Sequence, residues 1–147
     1  MSGASSKCAL LLLFLAVALA ACGGGAGTAE PTPPPLRPED GALTVRGFEW
    51  GFEPQAIALR LGEPVRIVFE NDGRTLHNFK IEELAADDID SESSGPLSAK
   101  EGQLFVGAEA GQRGTLRFVP QEAGTFVFYC TIRRHRELGM NGTLIVE

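Results

Sequence analysis

Positive charge is in short supply in this 147-residue chain: 13 Lys and Arg face 19 Asp and Glu, a net charge of −6. That balance argues against nucleic acid as a partner, because nothing offsets repulsion from phosphate. A long apolar run is also missing. The richest stretch, Cys8 to Ala21 with its core Leu10-Leu11-Leu12-Leu13-Phe14-Leu15, falls short of the roughly 20 apolar residues that cross a bilayer comfortably. There is no internal repeat. Cysteine, histidine and methionine are scarce, with three, two and two copies. So few cysteines cannot build a disulfide framework, which leaves each copy to be accounted for singly.

The start of the chain reads as a targeting segment, residues 1–21. Lys7 supplies a positive charge, the apolar stretch follows, and small residues close it. Leu19-Ala20-Ala21-Cys22 before Gly23-Gly24-Gly25 looks like a bacterial lipobox, cut before Cys22, with that thiol then lipidated. The competing reading is an ordinary secretory signal that happens to contain a cysteine. With more than one acyl chain, Cys22 would hold the mature protein stably on the outer face of a membrane, periplasmic or extracellular. Loss of Lys7, the one charge in the segment, takes the net charge from −6 to −7.

Residues 22–41 read as a tether. They carry the glycine run, Pro31-Thr32-Pro33-Pro34-Pro35 and Pro38, and almost no large apolar side chains. Such a stretch supports no core, and its mixture of glycine and proline makes a semi-rigid spacer. Residues 42–147 have the length of one domain with one core.

Within that domain short apolar segments are broken by turn residues. Leu43-Thr44-Val45, Ile57 to Leu61, Val65 to Phe69, Leu76 to Ile81, Gly114 to Val119, Thr125 to Cys130 and Gly142 to Val146 each read as a strand. Alternation at period two buries one face and wets the other. The spacing and the Gly/Pro punctuation predict an all-β fold, a β-sandwich. Glu82 to Glu101 resists this pattern. It holds seven acids against Lys100, with Ser and Gly-Pro inside, and is expected to be a solvated loop with a short helix over residues 82–88. Calcium or a partner is the rival reading, but the acids do not follow a calcium-loop spacing.

Cys8 leaves with the signal and Cys22 goes to lipid, so Cys130 is the one free thiol of the folded domain. It can be a buried inert thiol, an intermolecular bridge, a nucleophile or a metal ligand. Its neighbourhood favours the last. Cys130-x4-His135-x4-Met140 occupies one short connection between two strands, and His77, the other histidine, lies on a separate strand. Two imidazoles, one thiolate and a thioether form the donor set of a blue-copper electron-transfer site. Zinc also takes thiolate and imidazole, but its sites rarely use methionine.

These residues bring out a family likeness. Phe52 to Ile57 with Leu61-Gly62-Glu63-Pro64-Val65, Phe69-Glu70-Asn71 leading to His77-Asn78-Phe79, and Gly124-Thr125-Phe126 to Cys130, His135, Gly139-Met140 and Gly142-Thr143-Leu144 resemble the cupredoxins of the plastocyanin and azurin group. The resemblance implies a Greek-key β-sandwich that passes single electrons between larger redox proteins. It implies one copper ion cycling between Cu(I) and Cu(II), with His77, Cys130 and His135 as strong ligands and Met140 axial. Asn78 would support the site by a hydrogen bond near the cysteine sulfur. Expected partners are a cytochrome or a terminal oxidase, with the chain acting as a monomer.

One departure stands out. Many relatives have Pro-Gly before the second histidine, where this chain has Arg133-Arg134-His135-Arg136. In the family that histidine edge is the electron's exit. The three Arg would form a basic collar that docks an acidic partner, unless they pair with local acids such as Glu137. An independent copper enzyme is not expected, because two histidines cannot also build a catalytic copper centre. An extracytoplasmic copper carrier or chaperone is the alternative function.

Overall fold

The computed structural model describes residues 32–147. The expected signal peptide, the expected lipidation site Cys22 and the expected tether up to residue 31 lie outside the described residues. Among the described residues no helix is long and apolar enough to cross a membrane.

Ten strands follow in chain order: β1 Ala42–Phe48, β2 Gly51–Glu53, β3 Ala56–Leu59, β4 Val65–Asn71, β5 His77–Ile81, β6 Ala86–Glu92, β7 Phe105–Ala108, β8 Arg113–Pro120, β9 Gly124–Tyr129 and β10 Asn141–Val146. They form two five-stranded sheets, ordered β2-β1-β4-β8-β6 and β3-β10-β9-β5-β7. The pairs β1/β4 and β3/β10 are parallel and the others antiparallel. The architecture is the expected all-β sandwich.

Alternation in the sequence becomes the two faces of each strand. In β1, Leu43, Val45 and Gly47 point inward while Thr44, Arg46 and Phe48 point out. Between the sheets five phenylalanines are almost fully buried: Phe52, Phe69, Phe79, Phe118 and Phe128. Phe52 meets Phe128 edge-on at 5.3 Å between centroids, and Phe79 lies 4.9 Å from Phe128. Full burial of each such ring contributes about 1.5–3 kcal/mol by transfer alone. This aromatic block therefore fixes the spacing of the sheets beneath His77 and Cys130, which sit at the ends of the strands that carry Phe79 and Phe128.

The acidic stretch differs from expectation. It forms no helix over residues 82–88. Residues 86–92 are strand β6, at one edge of its sheet and paired with β8 from Ala86↔Pro120 to Glu92↔Thr115. Asp and Glu are poor strand formers, which is why composition pointed to a loop. Two features offset that. Ile89 packs against the core, and Arg117 of β8 reaches Asp90 at 2.8 Å. The register shifts between Asp87 and Asp90, and Asp88 takes a left-handed φ of 52° there. A charged, bulged edge strand also resists pairing with another chain. Strand β7, with no charged residue and little alternation, is a further element that periodicity left unread.

At the other end, the residues before β1 are stitched to the sandwich. Leu36 N–H donates to Ala56 O and Ala58 N–H to Leu36 O, both at 2.9 Å, and Glu39 and Ala42 exchange two backbone bonds. The paired backbone thus begins at Leu36, inside the stretch expected as tether.

Candidate metal centre

Three of the four expected ligands come from strand ends of one sheet. His77 is the first residue of β5, Cys130 follows β9 directly, and Met140 immediately precedes β10. The pairing of β9 with β10, Tyr129 opposite Asn141, brings Cys130 and Met140 side by side, and Cys130 N–H donates to Met140 O at 3.1 Å. His135 lies between them on a loop of successive turns. His135 N–H donates to Ile132 O, Leu138 N–H to Arg134 O, Gly139 N–H to Arg136 O and Met140 N–H to His135 O, at 2.9–3.1 Å. Two left-handed residues, Arg134 at φ 69° and Gly139 at φ 108°, close the loop without Pro-Gly.

His77, Cys130 and Met140 are wholly buried, and His135 is 7% exposed. Cys130 Sγ lies 3.5 Å from Nδ1 of His135 and 4.0 Å from Nδ1 of His77. The donor atoms of all three lie within 4.8 Å of one another, the sole such cluster among the described residues. A first-row metal bonded at about 2.0–2.3 Å to nitrogen and sulfur sets its donors roughly 3.5–4 Å apart. The three side chains fit such an ion. Met140, held beside Cys130 by that backbone bond, packs its methyl against Gly47, where a Cβ would come 3.2 Å from Met140 Cε and 2.7 Å from the Phe69 ring.

The electrostatics favour the neutral forms of Cys130 and His135. Burial pushes the Cys130 thiol up, partly offset by the backbone N–H groups of Asn78 and Ile132 that face the sulfur. Burial holds the His135 imidazole down, and nearby His77 adds to this against the opposing charge of Glu49. The thiol therefore keeps its proton at neutral pH, and metal uptake releases it.

Around these residues stands a second layer. Asn78 is buried; its Oδ1 accepts from Thr131 N–H at 2.8 Å and its Nδ2 donates to Thr131 Oγ1 at 3.0 Å. This ties β5 to the residue after Cys130 and holds the thiol in line with His77. Two residues were missed by sequence reasoning. Glu49 places Oε1 at 3.3 Å from His77 Nε2, and Trp50 sets its ring edge-on to His135 at 4.7 Å between centroids. Both lie on the turn between β1 and β2, and neither has a sequence spacing that links it to the ligands.

The three Arg separate. Arg136 binds Glu82 through both guanidinium nitrogens, at 3.2 and 2.9 Å, and lies over the Tyr129 ring at 4.1 Å. Its acid partner is Glu82, 54 residues away in sequence, rather than Glu137. Arg133 and Arg134 are exposed and make no ion pair among the described residues.

Residues 28–147 match the family model described as multicopper oxidase. The chain is a cupredoxin of that family. The copper-resistant cuproprotein CopI of Rubrivivax gelatinosus is 33% identical to this cupredoxin over 100 residues, 65% of this chain. The match spans 59% of that relative's length. Among solved structures, reduced auracyanin from Roseiflexus castenholzii superposes with a TM-score of 0.59 at 19% identity, covering 73% of this chain and 97% of auracyanin. A multicopper oxidase superposes with a TM-score of 0.58 at 20% identity, covering 75% of this chain and 45% of the oxidase. The site's cofactor is a single copper ion, consistent with its His, Cys, His and Met donors.

Proposed function

We propose that this cupredoxin is an electron carrier, not an enzyme, working outside the cytoplasm and anchored there through lipidated Cys22. The observation that carries this reading is a closed donor set with one window. His77, Cys130 and Met140 are sealed, while the edge of His135 reaches the surface beside Trp50. Copper held there supplies a one-electron couple, since thiolate and thioether favour Cu(I) and imidazole also accepts Cu(II). The protein's part is to keep the donors still in both states. Backbone turns fix His135, the β9/β10 rung fixes Cys130 and Met140, and Asn78 ties β5 to Thr131, the residue after Cys130. Oxidase chemistry on several coppers has no support in this chain, whose two histidines both go to one cluster.

The partner is a redox protein such as a cytochrome or a terminal oxidase, met by a monomer. Exposed Arg133 and Arg134 flank the His135 window on an otherwise acidic molecule and would steer an acidic patch onto it, raising the on-rate. Arg136, tied to Glu82, holds the loop in place.

A second reading, a copper carrier, is favoured by the copper-resistant relative. The two differ in what leaves the protein. The reduced copper protein should be oxidised by a small redox reagent faster than it yields copper to a Cu(I) chelator. Rapid, complete loss of copper to the chelator, with slow electron exchange, would favour the carrier and sink the electron-transfer reading.

A further inference from the structure

The turn between β1 and β2 holds the site from outside. Glu49 and Trp50, consecutive on this turn, each meet one imidazole: Glu49 meets His77 and Trp50 meets His135. The Glu49 contact carries the more specific chemistry. Its Oε1 accepts from Arg74 N–H at 2.7 Å and Thr75 N–H at 3.2 Å, and faces His77 Nε2 at 3.3 Å. The carboxylate is thus fixed by the backbone of the loop that leads into β5. That loop is itself set by buried Asn71. Its Nδ2 donates to Thr75 O and Ala108 O, both at 2.8 Å, and its Oδ1 accepts from Gly73 N–H at 3.0 Å.

Gly73 supplies the space. A Cβ there would stand 2.7 Å from His77 Nε2 and 2.8 Å from Glu49 Oε1. Any side chain at this position would enter the gap between the two groups. A histidine with Nδ1 turned to Cys130 and Nε2 turned to an anchored carboxylate has one consistent tautomer. Nε2 carries the proton and donates it to Glu49, and Nδ1 keeps its lone pair for metal.

We propose that Glu49 is a positioning residue of the copper site: its carboxylate accepts the Nε2–H of His77, fixes the Nδ1 lone pair toward the metal, and biases the couple toward Cu(II). A negative charge on the far side of a ligand favours the higher metal charge, and it makes the imidazole a stronger donor. This rests on copper binding at His77, Cys130, His135 and Met140, and it adds a determinant of the site's potential.

The test compares wild type, Glu49→Gln and Glu49→Ala. Gln keeps the length and an acceptor oxygen and removes the charge. In metal-free protein, nitrogen NMR should show His77 protonated at Nε2 in wild type and in Glu49→Gln, and a mixture of tautomers in Glu49→Ala. Loaded with copper, Glu49→Gln should keep its thiolate-to-copper absorption and raise the reduction potential. A tenfold change in the Cu(I)/Cu(II) ratio is about 59 mV for one electron. A His77 proton on Nδ1 in wild type, or an unchanged potential in Glu49→Gln, overturns the proposal. Wild type that takes up no copper in folded form would instead overturn the copper site, while the metal-free tautomer still reports on Glu49.

Discussion

Trp50 lies edge-on against His135, its ring centroid 4.7 Å from the imidazole, although Trp50 itself is 43% exposed. The least buried ligand of the site is thereby covered by a side chain that is not needed for the core. Trp50→Ala should leave the thiolate-to-copper absorption in place and cost about 0.5–1.5 kcal/mol, the worth of an aromatic pair. It should speed capture of Cu(I) by a chelator, because the window over His135 widens. Stopped-flow capture rates measure this, and an unchanged rate would show that Trp50 does not guard the site.

Gly47 makes room for Met140. A Cβ at position 47 would come within 2.8 Å of two Phe69 ring atoms and 3.2 Å from Met140 Cε. Gly47→Ala should destabilise the metal-free protein by about 1–3 kcal/mol through overpacking. In the copper protein it should also change the energy of the visible absorption, because the thioether is displaced. Denaturant midpoints and visible spectra check the two effects separately.

Glu49 gives the metal-free protein a distinct response to acid. Its carboxyl is lowered from 4.5 to about 2, first by the Arg74 backbone N–H and further by His77 and the Thr75 N–H. A carboxyl lowered on folding contributes stability that is present above the unfolded value and lost as pH falls through the folded one. The stability gap between wild type and Glu49→Gln should therefore be full at pH 7 and shrink between about pH 4.5 and 2. Urea midpoints of the metal-free proteins at several pH values report it. A gap that stays constant across that window contradicts the assignment.

Charge around His135 opposes the charge of the whole. With a net charge of −6, the chain as a whole repels anionic reagents, and salt would speed their reaction. If Arg133 and Arg134 govern the approach to His135, oxidation of the reduced copper protein by an anionic iron complex should instead slow as salt rises. Reversing both charges, in Arg133→Glu with Arg134→Glu, should restore the opposite trend. A rate in wild type that climbs with salt would remove the two arginines from the docking surface.

Much of the fold was legible because its strands alternate cleanly. β1, β4 and β8 each bury every second residue, and their period is visible in the letters. β6 was hidden because its acids mask two inward contacts, Ala86 and Ile89, and β7 because it is buried at every position and has no period at all. For the site, rarity made His77, Cys130, His135 and Met140 readable. One thiol and two imidazoles leave few alternatives, and the structure brings them together at the end of one sheet. Glu49 and Trp50 were not readable. One is among 19 acids, and the other is a lone tryptophan far from the ligand loop in sequence. Only the folding of the β1–β2 turn over the β5 and β9 ends gives either of them a meaning. The pairing of Arg136 with Glu82 was hidden for the same reason, since the nearer acid in sequence, Glu137, was the obvious candidate.

Titration of the metal-free protein with Cu(II), followed by visible absorption, tests the central claim most directly. The account predicts an intense thiolate-to-copper band that saturates at one copper per chain and is lost in Cys130→Ser, while that variant keeps its β-sheet circular dichroism. Folded wild-type protein that develops no such band, or a band that survives in Cys130→Ser, would contradict it.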